Sequence, residues 1–299
     1  MTEERFAYEI QEGEQEVSVR DLLKRRMGVS SRLLRKLKQG GGVFLNGRPV
    51  RLFEKGRAGD RITIALPEEK SGFAPEDIPL EVLYEDRDLL ILNKQPGIVC
   101  HPTKGHACHT VANGVQRHME LRGEAYRIRF INRLDMDTSG VLLIGKNSHC
   151  QDNFAHQAAQ GLVEKKYLAV VTGLVEEEEG VVDLPIDLAK EGEIRRMVRE
   201  DGYPSVTHYK VLERFGRAFT LLELRLETGR THQIRVHLAH LGHPVVGDVL
   251  YGSPDVWNIE RQALHASYLA FRHPVSGVPV EAAAPLPEDM KRLLEKLRA

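Results

Sequence analysis

Apolar positions along this chain follow two rhythms. Up to about residue 40 they recur at helical spacing. Leu22, Leu23 and Met27 fall on one side of a helix predicted over 17–27, with Lys24, Arg25 and Arg26 largely on the other. Ser30 or Ser31 can cap a second helix over 31–39, on which Leu33, Leu34 and Leu37 make an apolar stripe. Gly40-Gly41-Gly42 ends that helix. Residues 43–50 then read as a hairpin turning at Asn46-Gly47, and Ile62, Ile64 and Leu66 alternate as in a half-buried strand.

Beyond residue 80 strands dominate. Residues 82–84 and 89–92 read as paired strands around a polar turn, followed by a helix over 111–122. Phe130-Ile131 and the unbroken apolar run Val141 to Ile144 bracket a turn carrying Arg133, Asp135, Asp137, Thr138, Ser139 and Gly140. A run without polar alternation predicts a strand buried on both faces. A carboxylate held between two such strands has little freedom, which is how a reacting group is positioned; an Asp-rich turn capping its own backbone is the plainer alternative. Ser148 can cap a helix through Gln160 that Gly161 closes. Residues 165–175 form a strand with Tyr167 just inside its start. Residues 209–226 alternate strongly, as a hairpin about Gly216; 234–241 turn helical; 264–274 read as a strand and 288–297 as a closing helix. Residues 181–187 and 195–201 are weakly patterned.

Composition narrows the class. With 299 residues, 41% hydrophobic and 28% charged, the chain has enough apolar material for a large core. A net charge of -1 means that any surface for an anionic partner is local. Nearly every charge from Arg20 to Lys38 is positive, so few of these residues can pair with one another and an anionic partner is expected. No apolar run approaches the roughly 20 residues of a membrane span, and the acidic, polar start lacks the apolar core of a signal peptide. Three cysteines, Cys100, Cys108 and Cys150, suggest no disulfide framework. These features point to a reducing, cytoplasmic location. Residues 67–79, rich in Pro and charge, read as a linker between a unit at 1–66 and one at 80–299.

Three chemistries compete. His232, His237, His240 and His243 lie close together, as do His101, His106 and His109 with Cys100 and Cys108, but the spacings match no metal motif, and Arg230 and Arg235 would repel a cation. Asp135 and Asp137 resemble the D-x-D of Mg²⁺-dependent aspartate-nucleophile phosphatases. Arg133, however, interrupts the strand that should be apolar, and the paired acidic Mg²⁺ ligands are missing.

The third reading rests on family resemblance. Residues 17–66 resemble the S4 RNA-binding domain through Ser31-Arg32, Gly41 or Gly42, Val43, Asn46-Gly47, Gly59-Asp60 and Ile62. The strings RLDMDTSG, KKYLAVVTG and TGRTHQIRVHLAHLGHPVVGDVLYG, in that order, look like those of the RluA-type pseudouridine synthases. That resemblance covers essentially the whole chain. It implies an α+β fold: a long, mostly antiparallel mixed sheet flanked by helices, with a central cleft, plus a small α/β S4 domain. It implies Asp135 as the catalytic aspartate, Tyr167 packing on the target uracil and helping to remove the C5 proton, Arg235 pairing with Asp135, and Arg133 entering the RNA where the base has been flipped out. Arg32, Arg35, Lys36 and Arg230 are expected to bind RNA. The isomerisation needs no cofactor and no metal, and the implied partner is large-subunit ribosomal RNA, met by a monomer. A non-catalytic S4 RNA-binding protein is the remaining alternative. Asn132 and Met136 stand where the family usually has His and Lys, and Tyr203-Pro204-Ser205 also departs from its pattern, which bears on substrate choice.

Overall fold

The computed structural model describes residues 6–103, 105–252 and 259–299; residues 1–5, part of the acidic start noted above, lie outside the described residues. The first unit comprises β1 (Ala7–Glu9), α1 (Val19–Arg25), α2 (Ser31–Gly40), β2 (Val43–Leu45), β3 (Arg48–Pro49) and β4 (Arg61–Ile64), with sheet order β1-β4-β2-β3. Ser30, not Ser31, caps α2: its hydroxyl accepts from the Leu33 amide at 3.1 Å. Asn46 and Gly47 both take positive φ, 50° and 78°, as a two-residue hairpin turn requires. The predicted apolar stripes (Leu22, Leu23, Leu33, Leu34 and Leu37) close over Ile62 and Ile64 in one core, to which Phe6 and Ile10 are added from the chain around β1.

The second unit is built on a 10-stranded sheet of β5 (Glu81–Glu85), β6 (Leu89–Lys94), β7 (Arg129–Phe130), β8 (Ser139–Gly145), β9 (Glu164–Thr172), β10 (Glu179–Asp183), β13 (Val206–Phe215), β14 (Phe219–Leu226), β15 (Leu264–Arg272) and β16 (Pro279–Ala283). A separate pair, β11 (Ile186–Leu188) and β12 (Arg196–Val198), lies outside it. The main path runs β10-β13-β14-β9-β15-β8-β6-β5. The described pairings are antiparallel except β8 with β15, which run parallel through His265↔Ser139 and Ala266↔Gly140. Helices α3 (Val111–Leu121), α4 (Ser148–Ala159), α5 (Gln233–His240) and α6 (Glu288–Arg298) cover its faces. One core lies under β9, β13 and β14 with α5 and α6; another lies between β6, β8 and α3. Tyr167 packs against both.

Two local expectations change. The cap of α4 is Asn147 rather than Ser148: its side-chain oxygen accepts from the Cys150 amide at 3.0 Å while its Nδ2 donates to Asp88 at 2.7 Å. That second contact favours the earlier residue. Residues 67–80 form no helix or strand, yet they are tied down. Asn113 Nδ2 donates to the Ala74 carbonyl at 2.8 Å, the Ile128 amide donates to Ser71 Oγ at 2.8 Å, and Ile78 is buried in the α3 core. Glu69 accepts from Lys36 of α2 at 2.8 Å and from Arg129 of β7. Ser30 bonds to Asp152 of α4, and the Phe6 ring meets His149 edge-on at 5.8 Å, so the two units share an interface.

Candidate active site

The turn between β7 and β8 is fixed by groups well separated from it in sequence. Asn132 continues the sheet with its side chain, accepting from the Leu143 amide at 2.6 Å and donating to the Val141 carbonyl at 3.0 Å. Lys94, only 2% exposed, donates from Nζ to the carbonyls of Met136 at 2.7 Å and Thr138 at 2.9 Å. Arg261 donates to the intervening Asp137 carbonyl at 2.9 Å and is itself held by both oxygens of Asp289. Three successive carbonyls after Asp135 are thus bound by two buried cations. Gly140 sits at φ 110°, and a Cβ there would lie 2.1 Å from the Ala266 carbonyl oxygen, so only glycine admits the parallel rungs to β15.

Asp135, with a side chain 25% exposed, is brought to Arg235 of α5: Nη1 donates to Oδ2 at 2.9 Å. The rest of that guanidinium is bound in a fork by Asp248, Nε to Oδ2 at 2.7 Å and Nη2 to Oδ1 at 2.9 Å. Asp248 is fully buried and also accepts from the Leu250 and Tyr251 amides. Burial alone would lower the pKa of Arg235; the bonds and charge of Asp248, joined by Asp135, outweigh it and raise the value. Among the described residues Asp135 Oδ1 makes no hydrogen bond, so one oxygen is held and the other is unengaged. Tyr167 lines the same cleft, with Arg133, Arg230, His232, Leu226 and Leu264. Burial, and then the Asp135 charge, raise the pKa of its phenol, which therefore stays protonated at neutral pH.

Arg133 and Arg230 stand exposed at the mouth. Arg133 bonds to the Thr231 hydroxyl across the cleft; Arg230 donates to the Pro204 carbonyl at 3.1 Å and lies 5.5 Å from the Tyr203 ring centre. Asp135, Tyr167, Arg235, Arg133 and Arg230 thus come together, whereas Arg32, Arg35 and Lys36 belong to the other unit. Arg32 and Lys36 border a second cleft of about 350 Å³ with Arg127 and Arg129 from the catalytic side. Pairing in the basic segment is greater than its composition implied, because partners come from elsewhere: Arg26 meets Glu14 at 2.7 Å and Lys36 meets Glu69.

The histidines do not converge. His237 contacts Thr207 and the Leu184 carbonyl, His243 the Thr172 carbonyl and His232 the Tyr251 hydroxyl. Among the described residues, a close carboxylate–histidine group occurs at Asp86, Asp88 and His273, away from Asp135. There the His273 Nδ1 accepts from the Val275 and Ser276 amides, so its Nε2 carries the proton donated to Asp86. Sequence reasoning missed Lys94, Asp248, Tyr251 and Arg261, and weighed His232 only as a metal ligand. Lys94 and Arg261 look like surface charges in a linear sequence, and the stretch around Asp248 reads as a plain loop. An acid flanked by the apolar stretch PVVGDVLYG was the available signal for Asp248.

The chain belongs to the RNA pseudouridylate synthase family, whose profile matches residues 88–240. Its sequence is 43% identical over 262 residues to the uncharacterised RNA pseudouridine synthase YlyB of Bacillus subtilis, covering 86% of each chain. It is 42% identical over 274 residues to ribosomal large subunit pseudouridine synthase D of Xanthomonas campestris, covering 87% of this chain and 82% of that one. The solved structure of human RNA pseudouridylate synthase domain containing 1 aligns with a TM-score of 0.57 at 28% identity, over 74% of this chain and 95% of the human one. The catalytic unit is therefore that of an RluA-type RNA pseudouridine synthase, an isomerase acting on RNA, and the mixed α/β sheet is the fold expected of it.

Proposed function

We propose that this enzyme converts specific uridines of large-subunit ribosomal RNA to pseudouridine with the Asp135 carboxylate, after flipping the base into the cleft beside Tyr167. The observation that carries the reading is the Asp135–Arg235–Asp248 row. It keeps a carboxylate oriented in the cleft by a charge-assisted hydrogen bond, while leaving one oxygen unengaged. In the reaction the N1–C1′ bond breaks, the uracil turns, C5 joins C1′, the C5 proton leaves and N1 gains one. Nothing is oxidised or reduced. The Tyr167 ring offers the flipped base an aromatic face, and its hydroxyl, protonated at rest, gives its proton to the Asp135 carboxylate, freed as C5 joins C1′, while taking the one from C5. Arg133 fills the gap left in the RNA. The large-subunit substrate is supported by the likeness to ribosomal large subunit pseudouridine synthase D of Xanthomonas campestris.

The division of labour is part of the proposal. Residues 1–66 act as an S4 RNA-binding domain joined through 67–79 to the catalytic domain at 80–299, and the enzyme works as a monomer. Arg32, Arg35 and Lys36 bind RNA phosphates and contribute salt-dependent affinity rather than chemistry. Mapping pseudouridines in total RNA from cells with and without the protein identifies the targets. Asp135→Asn, whose amide is neither nucleophile nor base, is expected to fold and bind RNA as the wild type does and to form no pseudouridine. Turnover retained by that variant would refute the assignment.

A further inference from the structure

One side chain beside Asp135 has no part in the scheme above. His232 immediately precedes α5 with φ 57°, a left-handed conformation that costs a residue with a Cβ roughly 1 kcal/mol or more. Helix capping does not account for it, since its side chain makes no cap bond. The conformation instead places the ring at the cleft, its side chain 10% exposed and Nε2 3.9 Å from Asp135 Oδ2.

The other ring nitrogen fixes the proton. Nδ1 lies 2.8 Å from the Tyr251 hydroxyl, and that hydroxyl accepts from the Arg196 backbone amide at 2.7 Å. An amide N–H only donates, so the Tyr251 oxygen accepts there and its hydrogen is directed to His232 Nδ1. The opposite polarity would leave the phenol hydrogen without an acceptor among the described contacts. The Tyr251 ring also has the guanidiniums of Arg235 and Arg195 at 5.1 and 5.7 Å. An imidazole that accepts at Nδ1 carries its proton on Nε2. That N–H is beyond hydrogen-bond distance of Asp135 and has no other partner among the described residues. Burial holds the ring neutral; Asp135 and Asp248 oppose this, while Arg235 and Arg196 support it.

We propose that the Nε2–H of His232 donates a hydrogen bond to a carbonyl oxygen of the target uracil and stabilises the charge that the base gains on leaving C1′. This inference rests on the pseudouridine reading. When the N1–C1′ bond breaks, its electron pair stays with uracil and the charge spreads onto the ring carbonyls. A fixed N–H aimed where charge develops needs no reorganisation during the reaction. A neutral donor suits this cleft better than an imidazolium, which would pair with Asp135. Tyr251 and the Arg196 amide are positioning groups, so the β11–β12 pair sets the tautomer of a side chain in the active site.

Two substitutions separate the donor from the shape. His232→Phe keeps a ring and removes the N–H; His232→Gln returns an amide N–H near the Nε2 position, and both bear the same backbone cost. Loss of one such donor is expected to lower kcat about 100-fold in His232→Phe with RNA affinity unchanged, and His232→Gln to recover about 10-fold of it. A His232→Phe enzyme with wild-type kcat, or a His232→Gln enzyme no faster than His232→Phe, would overturn the role. Nitrogen-15 NMR of the intact wild-type protein at pH 7 should show the Nε2–H tautomer, and this measurement decides if His232→Phe does not fold. An Nδ1–H form or an imidazolium would overturn the proposal. A wild-type protein inactive on every RNA would sink the reaction reading itself. An active wild type with an equally active His232→Phe would sink only this role.

Discussion

Lys94 positions Asp135 without touching it. Burial pushes its pKa down to about 8, although the charges of Asp137 and Asp135 pull the other way. The folded pKa therefore lies below the unfolded one. From about pH 8 to 10 the unfolded chain holds a proton that the folded chain has lost, so this residue's contribution to stability rises with pH. Relative to Lys94→Met, wild type should gain up to about 3 kcal/mol between pH 7 and pH 10, read from urea unfolding at both. A wild type that gains nothing on Lys94→Met over that range would contradict this. Tyr167 gives a second test. With its phenol protonated at rest, Tyr167→Phe should bind RNA normally and lose about 100-fold in kcat, the size of effect typical of a lost proton-transfer group. Unchanged turnover would leave the ring only a packing role. The departures from the family pattern also find a place at this scale. Met136 contributes its backbone carbonyl to Lys94 while its side chain stays exposed, so Lys or Met there leaves that hold intact. Asn132 spends both side-chain groups on β8.

Among the elements, β8 is the most constrained. All seven of its residues are buried, and its first two rungs to β15 depend on Gly140. Gly140→Ala places a methyl group against the Ala266 backbone, where neither chain can yield without breaking the sheet. It is expected to cost about 4 kcal/mol or more and to lower the melting temperature by about 10 °C or more; a variant melting like wild type would show that the rungs rearrange. The apolar run 141–144 made this strand legible, and the helices α1 to α6 were each visible from their spacing. The strands that went unread are short or disguised. β10 is a five-residue edge strand and β16 begins with proline and carries small alanines on its face, so neither shows a strong alternation. β11 and β12 are three residues each, too few for a period to show, and their pairing appears only in the folded chain. For the same reason Asp135, Tyr167 and Arg235 could be named from motifs, while their supports could not: Lys94, Asp248, Arg261 and Asp289 are recognisable only once the chain has brought them together.

For the whole molecule, the segment before β5 matters more than its composition suggests. Arg129, with a side chain 7% exposed, depends on Glu69, and Glu69 also reaches Lys36. A chain beginning at Ile78 removes the Glu69 carboxylate from that guanidinium, whereas one beginning at Pro67 keeps the pair. The Pro67 chain should therefore be more stable, by about 1 kcal/mol on the scale of a partly exposed ion pair, and should be the form in which the catalytic unit is assayed alone. Denaturation midpoints of the two shortened chains test this, and equal midpoints would show that the pair contributes little. Among the described residues no helix is long and apolar enough to cross a membrane.

The hold of Arg261 and Asp289 on the Asp137 carbonyl has a consequence for the order in which the protein comes into being. Asp135 and Lys94, which binds two of the turn's carbonyls, are translated before Arg261 and Asp289, which hold the third. If residues 1–66 bind RNA as proposed, a nascent chain can fold its first unit and touch RNA while the Asp137 carbonyl still lacks Arg261. Under the proposed function, contact with RNA can then come before the turn that carries Asp135 is fully held.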